Sequence, residues 1–278
     1  MFFLVSADTI VITMHPLFCI GNGFFSRWKR CRYVLWLHDF FPSHAGLYYW
    51  YNRLADFYVG RLGAALFVSP AIRDEYARRV PSHGRTHRDV MELAITPTVS
   101  ARAPDPGLIG FIGNLKTGQG IERAIDALVI DPSLRLEIIG DGVSLGALRA
   151  YVQQAGVADR VRFLGAITDD AAQRVVDARW IAALALYEDD GYVTYADPGK
   201  VKLYWQHGVP VVMTRCTHLF PTVASLRAGE LVEPTGQSVL TAVRRIAQNP
   251  QEYVAGIARV AARYETRTYF DRKLSFLA

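Results

Sequence analysis

Cysteine is scarce in this sequence: only Cys19, Cys31 and Cys216 occur among 278 residues, and no two form a CxxC pair. An odd number of scattered cysteines argues against a disulfide framework and a structural zinc site, and it favours a reducing compartment. No apolar run reaches the roughly 18 residues needed to span a bilayer. The N-terminal stretch contains Asp8 and lacks a basic segment, which argues against a secretory signal peptide.

Several motifs of known chemistry are also missing. The sequence has no Ser-His-Asp or Cys-His spacing, no nuclease-like acidic cluster and no internal repeat. Gly140, Gly142 and Gly146 are spaced GxGxxxG rather than GxGxxG, and the next strand ends without an acid for a ribose. A nicotinamide enzyme is therefore disfavoured. The acidic run "YEDDG" at 187–191 has no identifiable partner for a metal site, and we interpret it as a solvated loop.

The composition describes a folded globular protein, with 51% hydrophobic and 21% charged residues. Its length favours two domains. The net charge is +5, and the first 100 residues hold most of it, with 11 basic residues against 7 acidic ones. The cluster "RWKRCR" at 27–32 is compatible with a membrane surface, a phosphosugar or nucleic acid, and equally with a solvated face.

Strand and helix signals alternate regularly in the second half. Short apolar runs predict strands at 108–113, 134–140, 161–165, 181–187, 209–214 and 229–234. Helical spacing of apolar residues predicts helices at 121–129, 145–156, 169–178 and 236–250. This alternation predicts βαβ units and a parallel sheet covered by helices on both faces.

The first hundred residues follow the same pattern less completely. Strands are predicted at 9–14, 33–38 and 64–69, with a helix at 47–62. We expect an α/β fold of two Rossmann-like domains, each with a parallel sheet, and a ligand cleft between the carboxyl ends of the sheets. The predicted divisions are an acceptor-side domain at 1–95, a linker rich in Pro, Thr and Ser at 96–107, a second domain at 108–262, and a C-terminal segment at 263–278 that packs back on the first domain.

Lys200 lies near the predicted start of a helix, where a positive charge is unfavourable. Asp197 and Pro198 predict the start of a helix and Gly208 its end. Lys200 then lies near the positive end of the helix dipole, where it would be stabilised by an anion. Glycine turns at 113–120 and 140–146 follow neighbouring strands and could cradle phosphate. The alternatives are ordinary βα turns and a surface lysine.

The predicted helices and strands also indicate where Lys202 and His38 lie. Lys202 lies about 200° around the helix from Lys200, which predicts a surface side chain. His38 follows a predicted strand, together with Asp39. There the histidine could donate to a sugar hydroxyl or a developing charge; the alternative is a histidine hydrogen-bonded under a loop.

The motifs, taken together, resemble a known family. "GLIGFIGNLKTGQGIERAIDAL", "LEIIGDG", "DRVRFLGAI", "IAALALY" and "ADPGKVKLYWQHGVPVVMT" match in order and spacing the nucleotide-sugar domain of GT-B glycosyltransferases. The similarity is strongest to family 4-like enzymes of bacterial polysaccharide assembly. "VLWLHDFFP" and "LFVSPAIRDEY" resemble the later part of their acceptor domain.

The resemblance implies a retaining transfer of a sugar from a nucleoside diphosphate sugar to a polysaccharide or lipid-linked acceptor, without a metal or another cofactor. It assigns a catalytic contact with the donor sugar to His38. It assigns donor binding to Gly113, Asn114, Lys116, Gly140, Asp141, Gly142, Asp197, Pro198, Lys200 and Leu203.

The sequence departs from the family pattern at three points. Asn114 and Gln119 replace the arginine and lysine that commonly bind diphosphate. Leu203 replaces a glutamate used for ribose, and Tyr195 stands at its partner position. The N-terminal domain lacks room for one or two βα units and is expected to be incomplete. A second hypothesis is therefore a non-catalytic or truncated GT-B module that acts as a partner subunit.

The expected partners are a nucleotide sugar, a glycan or lipid-linked acceptor and an anionic membrane surface, with no nucleic acid. We expect a cytoplasmic protein at the inner membrane surface. A shortened N-terminal domain would leave an aromatic cluster exposed to water. This predicts that the chain is a fragment of a longer protein, or a homo-oligomer in which a neighbour covers the cluster. Its members are Phe2, Phe3, Phe24, Phe25 and Trp28.

Overall fold

The protein forms two compact units in the computed structural model. Residues 10–19, 32–42, 45–81, 87–98, 104–168, 176, 179–188 and 191–277 are described. The first unit comprises residues up to Leu93 together with Gly191–Asp197, and the second comprises Ala94–Asp190 with Pro198–Ala278. The basic cluster at 27–32, apart from the backbone of Arg32, and the N-terminal aromatic cluster lie outside the described residues.

In the described residues, the first unit contains a parallel sheet of four strands. They are β1 (Ile10–Thr13), β2 (Arg32–Leu37), β3 (Ala64–Phe67) and β4 (His87–Val90), in the spatial order β1-β2-β3-β4. Every neighbouring pair is parallel. The sequence predicted three of these strands; β4 has no apolar alternation and was missed.

The described part of this unit contains a helical stretch at 16–19 and two longer helices, α1 (Gly46–Val59) and α2 (Pro70–Arg79). The hydroxyl of Ser69 accepts a hydrogen bond from the Ile72 amide and Pro70 follows it, so α2 begins with a side-chain cap. Helix α1 buries Asn52, Ala55 and Val59. Its other side leaves large apolar side chains in solvent, an arrangement that usually marks an interaction surface. These are Leu47, Trp50 and Phe57, which are exposed by 81%, 68% and 48%.

The second unit contains a six-stranded parallel sheet. Its strands are β5 (Asp105–Ile112), β6 (Arg135–Ile139), β7 (Val161–Gly165), β8 (Trp180–Ala185), β9 (Val211–Met213) and β10 (Gly229–Leu231). The spatial order is β10-β9-β8-β5-β6-β7, and all neighbours are parallel. The predicted α/β class with two parallel sheets is confirmed. Strand β5 begins inside the segment predicted as a linker.

Seven described helices belong to this unit. They are α3 (Ile121–Ile130), α4 (Leu145–Gln154), α5 (Gly199–Gln206), α6 (Phe220–Leu226), α7 (Gly236–Gln248), α8 (Pro250–Tyr264) and α9 (Thr266–Lys273). Most of the helix predicted at 169–178 lies outside the described residues. Within the described ranges, no helix combines the length and apolar character that crossing a bilayer requires.

A buried tryptophan fixes the centre of the second sheet. The Trp180 indole Nε1 donates to a carboxylate oxygen of Glu137 at 2.9 Å, and that glutamate is paired with Arg162. The indole lies over Gly110, where an added Cβ would come within 1.9 Å of the ring. Only glycine therefore fits beside this ring, and β5 and β8 can pair closely.

We expect Gly110→Ala to destabilise the protein by about 1–3 kcal/mol, because the new methyl group overpacks the Trp180 ring. Gly146→Ala is the matched control, since Gly146 lies in α4 with open space around its Cβ position. That change should be neutral or stabilising by up to about 1 kcal/mol through helix propensity. Urea denaturation measures both, and equal stability of the two variants would contradict this account.

Candidate functional site

Two glycine turns are interlocked at the carboxyl ends of β5 and β6. The Gly113 amide donates to the Ile139 carbonyl at 3.0 Å, and a Cβ on Gly140 would come within 1.9 Å of the Gly113 carbonyl oxygen. Gly113 and Gly140 have φ of 145° and 138°, in a region that favours glycine. The turns therefore meet backbone to backbone.

The residues that follow Gly113 and Gly140 continue the contact between the two turns. The Leu115 amide donates to the Asp141 carbonyl at 2.9 Å. A Cβ on Gly142 would lie 2.4 Å from the Asn114 side-chain oxygen. Asn114, Lys116 and Asp141 have exposed side chains on this platform. The structure thus brings these predicted donor residues together.

Lys200 projects from the first turn of α5 onto the same platform. Its ammonium Nζ would lie 3.1 Å from a Cβ on Gly113. The group also lies 4.0 Å from the centroid of the Phe111 ring and 5.0 Å from that of Tyr187. Burial and the nearby charge of Lys116 lower the pKa of Lys200 to about 7. A cation on two aromatic faces, close to a second cation, is suited to bind an anion.

Gln119 completes the surroundings of Lys200. This buried side chain accepts a hydrogen bond from Nζ at 2.5 Å. The sequence marked Gln119 only as a departure from the family pattern and missed this contact, because the two residues are 81 positions apart. One signal could have indicated this contact: Gln119 occupies the position at which the GT-B family that the sequence resembles has a diphosphate-binding lysine.

The start of α5 differs from the sequence expectation. Pro198 is the N-cap, the helix begins at Gly199, and no side chain caps it. Asp197 belongs to the first unit, where its carboxylate accepts a hydrogen bond from the Leu93 amide at 2.6 Å. The prediction that Asp197 caps this helix is therefore wrong. The predicted end is confirmed, since Gly208 has a φ of 68° just after the helix.

Lys202 is not a surface residue. It is 3% exposed, and its Nζ lies 3.3 Å from the centroid of the Tyr264 ring. Helix α8, which carries Tyr264, packs on this side of α5 and encloses the lysine. Leu203 is half-buried on the same helix and offers only its backbone for hydrogen bonds. Its assigned contact with ribose stays a prediction.

His38 lies in the first unit, directly after β2 as predicted. Its Nε2 is buried and has no hydrogen-bond partner among the described residues. The ring packs edge-on against Trp36 with 4.3 Å between the ring centroids. Burial lowers the pKa of His38, although the charge of Asp39 opposes this shift. Because burial is the larger of the two effects, the neutral form of the imidazole is favoured near pH 7.

A cavity of about 1010 Å³ lies in the same unit. Its lining mixes aromatic side chains, such as Phe41, Tyr51 and Trp50, with aliphatic ones and with the carboxylates of Asp39 and Asp56. Arg53 and Arg61 stand on its wall. Asp189 and Asp190 of the acidic run "YEDDG" lie outside the described residues.

The two parallel sheets and the glycine platform match the fold class of GT-B glycosyltransferases. A sequence profile of the glycosyl transferases group 1 family matches residues 106–249, more than half of the chain. The chain therefore belongs to the group 1 glycosyl transferases. No curated protein sequence matches it.

Solved structures share the fold at low sequence identity. HepE of Anabaena, in complex with UDP, is 17% identical with a TM-score of 0.74, over 96% of this chain and 78% of HepE. The pneumococcal O-GlcNAc transferase GtfA, in complex with UDP and GlcNAc, is 14% identical with a TM-score of 0.70, over 98% and 57%. WaaG, a glycosyltransferase involved in lipopolysaccharide biosynthesis, is 12% identical with a TM-score of 0.63, over 94% and 80%.

The lowered pKa of Lys200 predicts a pH dependence of stability. A lysine in the unfolded chain has a pKa of about 10.4, whereas in the fold it is about 7. Between these values the unfolded chain binds more protons, so the free energy of unfolding rises with pH. In Lys200→Met this rise should be smaller between pH 7 and pH 9 in urea denaturation. Equal slopes in the two proteins would contradict the burial of this ammonium group.

Proposed function

We propose that this protein transfers a sugar from a nucleoside diphosphate sugar to a polysaccharide or lipid-linked acceptor, as a retaining, family 4-like enzyme that needs no metal. The observation that carries the proposal is Lys200, a partly buried cation held at the Gly113 turn. A diphosphate at this turn would meet this ammonium group and the exposed Lys116.

The charge at the site supports transfer without a metal. A departing nucleoside diphosphate carries negative charge that must be stabilised as the sugar bond breaks. Lys116 supplies one positive charge on the platform, Lys200 supplies a second once a bound phosphate holds it in the charged form, and the start of α5 adds part of a third. We therefore expect sugar transfer to persist in the presence of a chelator.

His38 supports the handling of the sugar. A neutral imidazole with a buried, unpartnered Nε2 can exchange a hydrogen bond with a sugar hydroxyl. A hydrogen bond of this kind requires that the imidazole be correctly placed, and it does not require that the imidazole be charged. The retaining outcome rests on the resemblance of the donor motifs.

The cavity of the first unit supports an acceptor with an apolar part. Aromatic walls accept both sugar rings and hydrocarbon chains, and arginines bind phosphate. Arg61 rests on the Phe57 ring at 3.8 Å from its centroid and keeps its guanidinium exposed. A glycan carried on a lipid phosphate matches this combination.

The exposed side of α1 supports a place at the membrane surface. Leu47, Trp50 and Phe57 share this side with Arg53. Aromatic and aliphatic side chains beside arginines are typical of helices that lie in the interface of anionic membranes. We therefore propose a cytoplasmic enzyme bound peripherally to the inner membrane surface.

The donor site can be tested by calorimetry with UDP, GDP and dTDP. Lys200→Ala should weaken binding of the preferred nucleotide by about 1.5–3 kcal/mol, the range for a hydrogen bond to a charged group. Folding stability should stay equal or rise, because a partly buried cation is removed. No binding of any nucleotide by the wild type would favour the alternative of a non-catalytic or truncated module.

Vesicle binding tests the membrane assignment. Wild-type protein should bind phosphatidylglycerol vesicles more tightly than neutral ones, and high salt should weaken this binding. Arg53→Gln with Arg61→Gln should cost about 1 kcal/mol per residue. Arg73→Gln with Arg78→Gln, which removes the same charge from α2, is the control. Equal losses in the two variants, or a self-associated wild type that binds no vesicle, would contradict the assignment to α1.

A further inference from the structure

Lys200 has one hydrogen-bond acceptor among the residues that the structure describes, the side-chain oxygen of Gln119. Its other close neighbours are the rings of Phe111 and Tyr187. No described carboxylate forms an ion pair with it. The cation that faces the proposed phosphate site is thus held by a neutral group.

Gln119 is itself fixed in place. It is 8% exposed and lies between Gly118 and Gly120, which have φ of 82° and 63°. The Glu188 amide donates to the Gly118 carbonyl at 3.0 Å. A Cβ on Gly120 would lie 2.1 Å from the Leu186 carbonyl oxygen. The loop is therefore pressed against the chain that follows β8, and its glutamine side chain starts from a rigid backbone.

A neutral acceptor has a different effect from a carboxylate. A carboxylate at position 119 would hold the ammonium group in the charged form and would itself repel phosphate. The amide oxygen orients Nζ without doing either. Among the described residues, the titratable groups that face Lys200 are Lys116, in the loop that carries Gln119, and Tyr187 after β8. The charge of Lys116 disfavours protonation of Lys200.

We propose that Gln119 is a positioning residue for Lys200: it aims the ammonium group at the donor phosphates and leaves the counter-ion role to the substrate. This inference rests on the proposed donor function. Its consequence is that binding of a nucleoside diphosphate is coupled to uptake of a proton by Lys200. The phosphate stabilises the charged form of the lysine, which the empty site does not.

Calorimetry across pH 7–9 tests the proposal, with whichever of UDP, GDP and dTDP binds. A pKa near 7 in the free protein predicts that wild-type affinity falls by up to about 50-fold between pH 7 and pH 9. Repeating the titration at pH 7.5 in buffers of different ionisation enthalpy should show uptake of a fraction of a proton. Lys200→Met should bind weakly at every pH and take up no such proton.

Variants at position 119 separate positioning from simple packing. Gln119→Glu should bind more weakly at pH 7, with an affinity that changes by less than about threefold up to pH 9, because Lys200 then stays charged. Gln119→Met, of similar size, should lose affinity but keep a steep pH dependence. Gln154→Glu makes the same charge change on the exposed end of α4, and its profile should equal that of the wild type.

The outcomes are distinguishable. A Gln119→Glu profile as steep as that of the wild type, or wild-type binding without proton uptake, would overturn the positioning role and leave the donor site in place. If the wild type binds none of the three nucleotides, the proposed function fails and this inference fails with it. A loss of stability in Gln119→Met without a change in affinity would show that Gln119 only packs the loop.

Discussion

The proposed donor site at the end of the second sheet depends on the contact between Gly113 and Gly140. Their backbones approach so closely that no side chain fits between the two turns. This contact sets the ends of β5 and β6 side by side and leaves a surface made largely of main chain. Lys200 can then reach that surface from a third strand–helix junction. Asn114 and Asp141 carry exposed side chains on this surface, and the Asp141 carboxylate accepts a hydrogen bond from the Gly142 amide at 2.7 Å.

Helix α5 carries two lysines whose ammonium groups are buried against aromatic rings. It places one ammonium group against Phe111 and Tyr187, and a second against Tyr264. Ring faces attract cations without adding negative charge. An acidic partner for Lys200 would have compensated its burial more strongly, but it would also have cancelled the positive potential at the platform. The unfavourable position of a lysine at a helix start is therefore consistent with a site that binds an anion.

The sequence predicted what depends on local pattern. Apolar runs and glycine turns located all six strands of the second sheet, and the parallel order placed their ends on one side. Lys202 was wrongly predicted to be at the surface. Its angle around α5 shows which way the side chain points, but not that helix α8, far away in sequence, packs against that side. Asp197 was misassigned for the same reason, since its carboxylate is used by an amide 104 positions earlier. The contact of Gln119 with Lys200 also needs the folded chain.

The two units would divide recognition between backbone and side chains. The platform proposed to bind the donor is built from glycine turns. Because the diphosphate is common to all nucleoside diphosphate sugars, we expect this backbone surface to need little variation. The cavity of the first unit is instead lined by the side chains of α1 and its neighbours, among them Tyr48, Trp50 and Phe57. Such a lining can change by single substitutions while the buried side of α1 stays intact. Selectivity for the acceptor is therefore expected to lie in the exposed face of one helix.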